Sequence, residues 1–244
     1  MIANKPLRRL VVTADVEKYS SRTRHGQEAV QRGLMSVLES SDRHATLRRL
    51  EWERQPQGDA EVALLPPGIV EGEAISDFMS GLATALHHHN RSLNSEYRLR
   101  LRVAIDQGNI SIGEAGFVGN AVISACRMRD SDLLRRLLTD HPNADFVIAV
   151  SDAIYTDVVD HRDHEFYRWR FTPHEIRVKE FSARVWVCVP EPSSDTGEQS
   201  GTPESTAPSG RPSGERTVFE SIDLRGSKGA NVGDFQGPIE QHFH

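Results

Sequence analysis

The chain has 244 residues, a formal net charge of −6 at pH 7 and an isoelectric point near 6.0. Its arginines are spread through predicted strands and helices instead of forming one basic stripe, so we expect no nucleic acid partner. No apolar run reaches the ~18 residues that cross a bilayer, and the N-terminus lacks the apolar core of a signal peptide. The two cysteines, Cys126 and Cys188, lack CxxC spacing and are expected to be buried free thiols. These features predict a cytoplasmic protein that does not bind membranes.

The composition changes abruptly after Pro190. Residues 191–217 are rich in Pro, Gly, Ser and Thr and contain almost nothing able to fill a core, which predicts a disordered linker. Residues 218–244 form a short tail with sparse apolar residues among glycines. We therefore expect one folded domain over residues 7–190, followed by the linker and the tail.

The first half of that domain predicts a strand, a helix and a hairpin. The strand covers Arg9–Ala14, and the helix covers Gln27–Ser40, where apolar residues recur at the spacing of one buried face. Two strand-like runs follow, LRRLEWERQ and AEVALLP. The residues between them, from Pro56 to Asp59, are typical of a turn, so the two runs predict a hairpin.

A second amphipathic helix is predicted over residues 71–89, and it leads into an alternating strand over residues 97–108. The order is then β-α-β-β-α-β, the ferredoxin-like arrangement. The remaining elements are a short strand near 109–112, a helix over 120–138, a strand over 146–150, a short helix from Ser151 and closing strands that end near Pro190. The predicted class is α+β, a ferredoxin-like βαββαβ core with extra C-terminal strands and helix, followed by a disordered tail.

Two carboxylates, Asp15 and Asp59, are expected to meet at one edge of this sheet. Asp15 ends the first strand, Asp59 lies in the turn before the third, and in this topology those two strands pair. With the backbone carbonyl of Val16, they would supply the hard oxygen ligands that Mg²⁺ or Mn²⁺ prefers. The alternative is that both aspartates are ordinary turn or helix-capping residues.

Six segments, in chain order, resemble motifs of the catalytic domain of class III adenylate and guanylate cyclases. TADVEKYSSR is similar to F-A-D-I-x-G-F-S/T, with Asp15 at the first metal aspartate and Tyr19 at the aromatic position. QGDAEVALLP is similar to the hairpin that carries the second metal aspartate, matched by Asp59. The other four segments are LRVAIDQGNISIGEAG, VGNAVISACRM, VSDAIYTDV and IRVKEFSARVWVCV. The resemblance spans residues 7–190 and is to divergent bacterial members of the family.

The resemblance implies a cyclase that converts ATP or GTP to a 3′,5′-cyclic nucleotide and pyrophosphate, using two Mg²⁺ or Mn²⁺ ions. It places Arg127 where the family has the arginine that stabilises the pentavalent phosphorus, and Lys179 where it has a triphosphate-binding lysine. Without the resemblance, Arg127 would be interpreted as part of a surface salt bridge and Lys179 as a solvated lysine at a strand end. A head-to-tail homodimer is also implied, in which one protomer supplies the aspartates and the other the arginine.

The sequence departs from the family at the residues that hold the nucleoside. The asparagine that orients the ribose is replaced by Ile123, whose side chain cannot hydrogen-bond, and Asn120 one helical turn earlier is the candidate substitute. The positions that read the purine map to Glu53 and Gly116, which complete neither the adenine-type nor the guanine-type pair. These departures keep a second hypothesis open, a catalytically inactive cyclase-homology domain that binds nucleotide or a protein partner in signalling.

The tail over residues 218–244 resembles the short C-terminal amyloid-like signalling motifs of filamentous bacteria. Apolar and polar residues alternate around its glycines, a pattern suited to strand stacking between chains. Such a motif would recruit a protein partner that carries a similar tail. A disordered terminus is the alternative interpretation.

Overall fold

The structure is a computed structural model, and it describes residues 5–41, 48–161 and 166–190. The predicted linker at 191–217 and the predicted signalling tail at 218–244 lie outside the described residues. Within the described ranges, no helix is both long and apolar enough to cross a membrane.

The first half of the domain is a βαββαβ unit. Its elements are β1 Leu7–Val16, α1 Arg24–Ser40, β2 Glu53–Pro56, β3 Ala60–Leu64, α2 Glu71–Asn90 and β4 Leu101–Gly113. Both β3 and β4 pair antiparallel with β1, and β2 pairs with β3, so the strand order is β2-β3-β1-β4. This order confirms the predicted ferredoxin-like core.

The second half extends the same sheet. Its elements are β5 Gly116–Val118, α3 Asn120–Arg129, α4 Asp132–Asp140, β6 Phe146–Ser151, α5 Asp152–Ile154, β7 Thr172–Val178 and β8 Phe181–Cys188. β6 pairs parallel with β4, β8 pairs antiparallel with β6, and β7 forms a hairpin with β8. The short β5 pairs only with the end of β4. The result is an eight-stranded mixed sheet in an α+β domain, as predicted.

Helices cover both faces of this sheet. Leu10 and Val12 of β1 lie in the core formed with α1 and α2, whereas Val11 between them lies in the core formed with α3 and α4. A strand that is buried on both faces has no polar side to alternate with its apolar one. This is why the segment RLVVTA is an almost unbroken apolar run.

Three predicted elements differ from the structure. The separate short strand expected near 109–112 is the end of β4, which continues without a break to Gly113. The single helix expected over 120–138 is two helices, because the Ser131 hydroxyl accepts a hydrogen bond from the Leu134 amide at 3.4 Å and starts α4 as its N-cap. The run LRRLEWERQ does not form a strand along its length, since Arg49–Glu51 is a 3-10 turn and only Glu53–Pro56 pairs with β3. The turn follows from burial of Arg49, which forms an ion pair with Glu61 of β3.

Candidate functional site

The register of β1 and β3 places Asp15 and Asp59 side by side in the sheet. Asp15 is the cross-strand partner of Ala60, the residue that follows Asp59. The Val16 amide donates a hydrogen bond to the Asp59 carbonyl at 3.0 Å. In an antiparallel ladder the amide and carbonyl of one residue point to the same neighbouring strand, so the Val16 carbonyl is expected on the β3 side of β1. The three predicted oxygen donors therefore come from adjacent backbone positions.

Asp15 is buried against an arginine that the sequence analysis did not select. Its two carboxylate oxygens accept hydrogen bonds from Nε and Nη2 of Arg102, at 2.8 and 2.7 Å. Arg102 is on β4, directly opposite Asp15 in the register, and both side chains are 12% exposed. Arg102 is in the segment LRVAIDQG, but its position opposite Asp15 follows only from the β1–β4 register, which the sequence alone does not give.

A second arginine, Arg129 of α3, also approaches this edge. Its Nη1 donates to the Thr13 hydroxyl at 2.7 Å, two residues before Asp15, and its other nitrogens bind the Asp130 carboxylate at 2.9 and 3.1 Å. Burial raises the pKa of the Asp15 carboxyl above its usual value, and the charges of Arg102 and Arg129 oppose that rise. Asp15 is therefore a desolvated carboxylate held beside two cations.

The donor set fits a hard divalent cation. Asp59 is half-exposed, and its carboxylate, that of Asp15 and the Val16 carbonyl are the oxygen ligands that Mg²⁺ and Mn²⁺ take. Within the described residues, no group of three or more His, Cys, Asp or Glu side chains is placed to hold a metal ion. A cation at this edge would complete its coordination with backbone, water or substrate oxygens, as is usual for Mg²⁺.

Arg127 and Lys179 are both close to Phe181, the first residue of β8. The Arg127 guanidinium sits 5.5 Å from the centre of the Phe181 ring. Phe181 starts β8, and Lys179 is in the two-residue turn before it, in a left-handed conformation with φ of 55°. The two residues that the resemblance assigns to phosphate are therefore brought to the same hairpin.

That hairpin lies at the end of the sheet opposite to Asp15. Asp15 pairs with Arg102 at the start of β4, and β6 runs parallel to β4. The last residue of β6, Ser151, pairs with Val185, so the hairpin extends beyond the end of β6. Arg102 is level with Val147 of β6. From there to Lys179 the path runs along β6 to Ser151 and then along β8 from Val185, so at ~3.3 Å per strand residue the separation is roughly 30 Å. One chain therefore does not bring Lys179 to the aspartates, whereas Arg127 lies on α3 two residues before Arg129.

The positions predicted to read the base show a contact that the sequence analysis missed. The Glu53 carboxylate accepts a hydrogen bond from Arg9 at 2.7 Å. Gly116 has a φ of +128°, and a Cβ on it would lie 2.5 Å from the side-chain oxygen of Gln55. Gln55 follows Glu53 by two residues on β2 and so shares its face of the strand. Its amide, which both donates and accepts, is the polar group beside Gly116.

The other residues predicted to contact the nucleotide lie on the first turn of α3 and next to α1. Asn120 and Ile123 both lie on the first turn of α3 and are exposed, with Ile123 at 51%. Tyr19 is half-buried against the core beneath α1, and its hydroxyl accepts a hydrogen bond from Gln31 at 2.8 Å. This hydrogen bond gives Tyr19 a packing role, and its predicted contact with nucleotide stays a prediction.

Comparison with known proteins identifies the fold. No protein-family model and no curated protein matches the chain. Among solved structures, an adenylate/guanylate cyclase/hydrolase from Silicibacter pomeroyi is similar at 19% identity and a TM-score of 0.54, over 77% of this chain and 99% of that one. The guanylyl cyclase Cya2 is similar at 16% identity and a TM-score of 0.53, over 78% of this chain and 96% of that one.

The guanylate cyclase domain of RhGC from Catenaria anguillulae, solved in complex with GTP, is similar at 15% identity and a TM-score of 0.50. This likeness covers 77% of the chain and 99% of that domain. Each of these domains is matched over almost its whole length. The chain therefore contains a domain with the class III nucleotidyl cyclase fold.

Proposed function

We propose that this chain is a metal-dependent nucleotide cyclase that converts ATP or GTP to a 3′,5′-cyclic nucleotide and pyrophosphate. The observation that carries the proposal is the β1–β3 pairing, in which Asp15 lies opposite Ala60 and the Val16 amide donates a hydrogen bond to the Asp59 carbonyl. An edge with these oxygens suits the two Mg²⁺ or Mn²⁺ ions that the family resemblance implies. Bound ions there supply charge neutralisation of the triphosphate and activation of the ribose 3′-hydroxyl.

The chain's own residues account for the rest of the reaction. The 3′-hydroxyl loses its proton to solvent as its oxygen attacks the α-phosphorus in line, the bond between that phosphorus and the α,β-bridging oxygen breaks, and pyrophosphate leaves. Arg127 offers a planar guanidinium fork to the oxygens of the pentavalent phosphorus, and Lys179 offers an ammonium group to the triphosphate. Both cations are on or near the surface, where an incoming polyphosphate is able to reach them.

A complete site requires two chains under this proposal. The Lys179 hairpin and the aspartates lie at opposite ends of the sheet, so a head-to-tail homodimer would combine the aspartates of one copy with Arg127 and Lys179 of the other. Three apolar side chains on β4, β5 and α3 are unusually exposed and would be covered in such a dimer. They are Ile112 at 40%, Val118 at 59% and Ile123 at 51%.

The nucleoside half of the site departs most from the family pattern. Ile123 offers no hydrogen bond to a ribose, and the loss of one positioning donor commonly costs ~100-fold in rate. Asn120 is exposed one turn earlier on α3 and would supply the missing amide. Around the base, Glu53 and Gly116 remain the predicted positions, and Gln55 joins them as the side chain that contacts Gly116.

A second candidate function is a catalytically inactive cyclase-homology domain that binds nucleotide or a partner and acts in intracellular signalling. The exposed Ile123 favours it, since this side chain suits a protein contact better than a ribose. The predicted tail partner and the cytoplasmic location belong to both candidates and remain proposals.

The experiment that separates the two is a cyclisation assay on purified full-length protein. Each of the four nucleoside triphosphates is incubated with Mn²⁺, and 3′,5′-cyclic product and pyrophosphate are measured by chromatography. Asp59→Asn removes one proposed ligand, and Asp140→Asn is the matched control, because Asp140 is an exposed residue at the end of α4. The enzyme proposal predicts product from wild type and the control only. Absence of product with all four nucleotides leaves the inactive domain as the better account.

A further inference from the structure

Arg102 and Asp15 form one of the most completely satisfied ion pairs in the described part of the chain. Two guanidinium nitrogens bind the two carboxylate oxygens, at 2.8 and 2.7 Å, in the bidentate geometry that gives strong charge-assisted hydrogen bonds. The residues are cross-strand neighbours on β1 and β4, so the strand pairing itself holds them opposite each other.

Burial makes this pair interdependent. Each side chain is 12% exposed, and removal of either partner leaves an uncompensated charge with little access to water. Arg129 does not replace Arg102, because its own hydrogen bonds go to Thr13 and Asp130. The Asp15 carboxylate thus depends on Arg102 whenever no other cation is bound to it.

Asp59 is in a different situation. It is half-exposed, and within the described ranges no lysine or arginine forms an ion pair with it. A divalent cation arriving from solvent therefore meets one accessible carboxylate, Asp59, and one whose two oxygens are already bound to a guanidinium, Asp15.

We propose that Arg102 competes with the divalent cation for Asp15, so that cation binding and opening of the Arg102–Asp15 pair are one coupled step. This inference rests on the proposed function, in which Asp15 and Asp59 bind the cation. Arg102 then acts as an internal counter-ion that stabilises the cation-free domain and lowers its affinity for Mg²⁺ or Mn²⁺. The opposite role, in which Arg102 only orients the carboxylate for the cation, predicts the opposite effect of its removal.

Mn²⁺ binding to full-length protein, followed by electron paramagnetic resonance of the free aqueous ion, separates the two roles without any turnover. Arg102→Gln removes the charge and the fork, Arg102→Lys keeps the charge and loses the fork, and Arg135→Gln is the control, since Arg135 is an exposed arginine on α4. We expect Arg102→Gln to bind Mn²⁺ about tenfold more tightly than wild type. Arg102→Lys should fall between them, and the control should match wild type.

Thermal unfolding provides a second readout in case Arg102→Gln is poorly folded without metal. The variant should be less stable than wild type in EDTA and should gain more in melting temperature from Mn²⁺, because the ion replaces the lost counter-ion. Equal or weaker Mn²⁺ binding by Arg102→Gln and Arg102→Lys, with wild type still binding and Asp59→Asn not, overturns the competition and leaves the proposed cation site standing. No Mn²⁺ binding by wild type or any variant overturns both.

Discussion

Mixing two inactive variants tests whether the site is shared between chains. Asp59→Asn damages the carboxylate edge, and Arg127→Ala removes the proposed phosphate-binding arginine on α3, beside Phe181 of the β7–β8 hairpin. In a head-to-tail dimer the aspartates and the arginine of one chain belong to different sites, so in a heterodimer of the two variants both lesions fall in the same site. A heterodimer then has one site with both lesions and one site with none.

The size of the recovery follows from this arrangement. Random reassortment of equal amounts makes half of the dimers heterodimers, and half of their sites are intact, so about a quarter of wild-type activity should return. The two proteins are co-refolded or co-expressed, and cyclic product is compared with that of each variant alone. The matched control mixes Asp59→Asn with Asp15→Asn, which damage the same end and should not complement.

Two results would refute the shared site. One is a mixture whose activity equals the average of its two components, although both chains are present in the same dimers. The other is substantial activity from Arg127→Ala alone, since it would mean that Arg127 takes no part in the reaction.

Three further predictions concern the nucleoside, the core and the cysteines. Ile123→Asn should raise the turnover rate about tenfold or more by restoring a hydrogen-bonding side chain, and an unchanged or lower rate in steady-state kinetics would contradict this. Glu61→Leu should lower the free energy of unfolding by about 3–5 kcal/mol, because it strands buried Arg49, and Arg49→Met in the same chain should recover most of the loss in urea titrations. Burial raises the pKa of the Cys188 thiol to about 12, so at pH 8 it should not react with a thiol reagent until the domain unfolds; rapid labelling of a native Cys126→Ser variant would contradict its burial.

The juxtaposition of Asp15 and Asp59 was predictable because it depends only on topology. Periodicity separates the helices from the strands, and the βαββαβ order makes β3 a neighbour of β1, whatever the side chains are. The exact cross-strand register does not follow from such an argument. That is why Arg102, opposite Asp15 on β4, was not selected although it lies in a recognised motif segment.

Contacts between distant segments account for the other differences. Arg49 looks like one more charged residue in an alternating run, and only its ion pair with Glu61 shows why the chain turns there. Gln55 lies two residues after Glu53 on the same face of β2. The sequence alone therefore does not say which of the two contacts Gly116. Ser131, by contrast, followed by Asp132, is a recognisable N-cap signal that marks the break between α3 and α4.

Phosphorus NMR of the reaction mixture tests the proposed activity most directly. With wild-type protein, Mn²⁺ and ATP or GTP, we predict resonances of a 3′,5′-cyclic nucleotide and of pyrophosphate growing in equal amounts, and neither with Asp59→Asn. Equal product from wild type and Asp59→Asn would contradict the assignment of the cation site. A spectrum that stays that of the unreacted triphosphate, with every nucleotide and with folded wild-type protein, would contradict the cyclase itself.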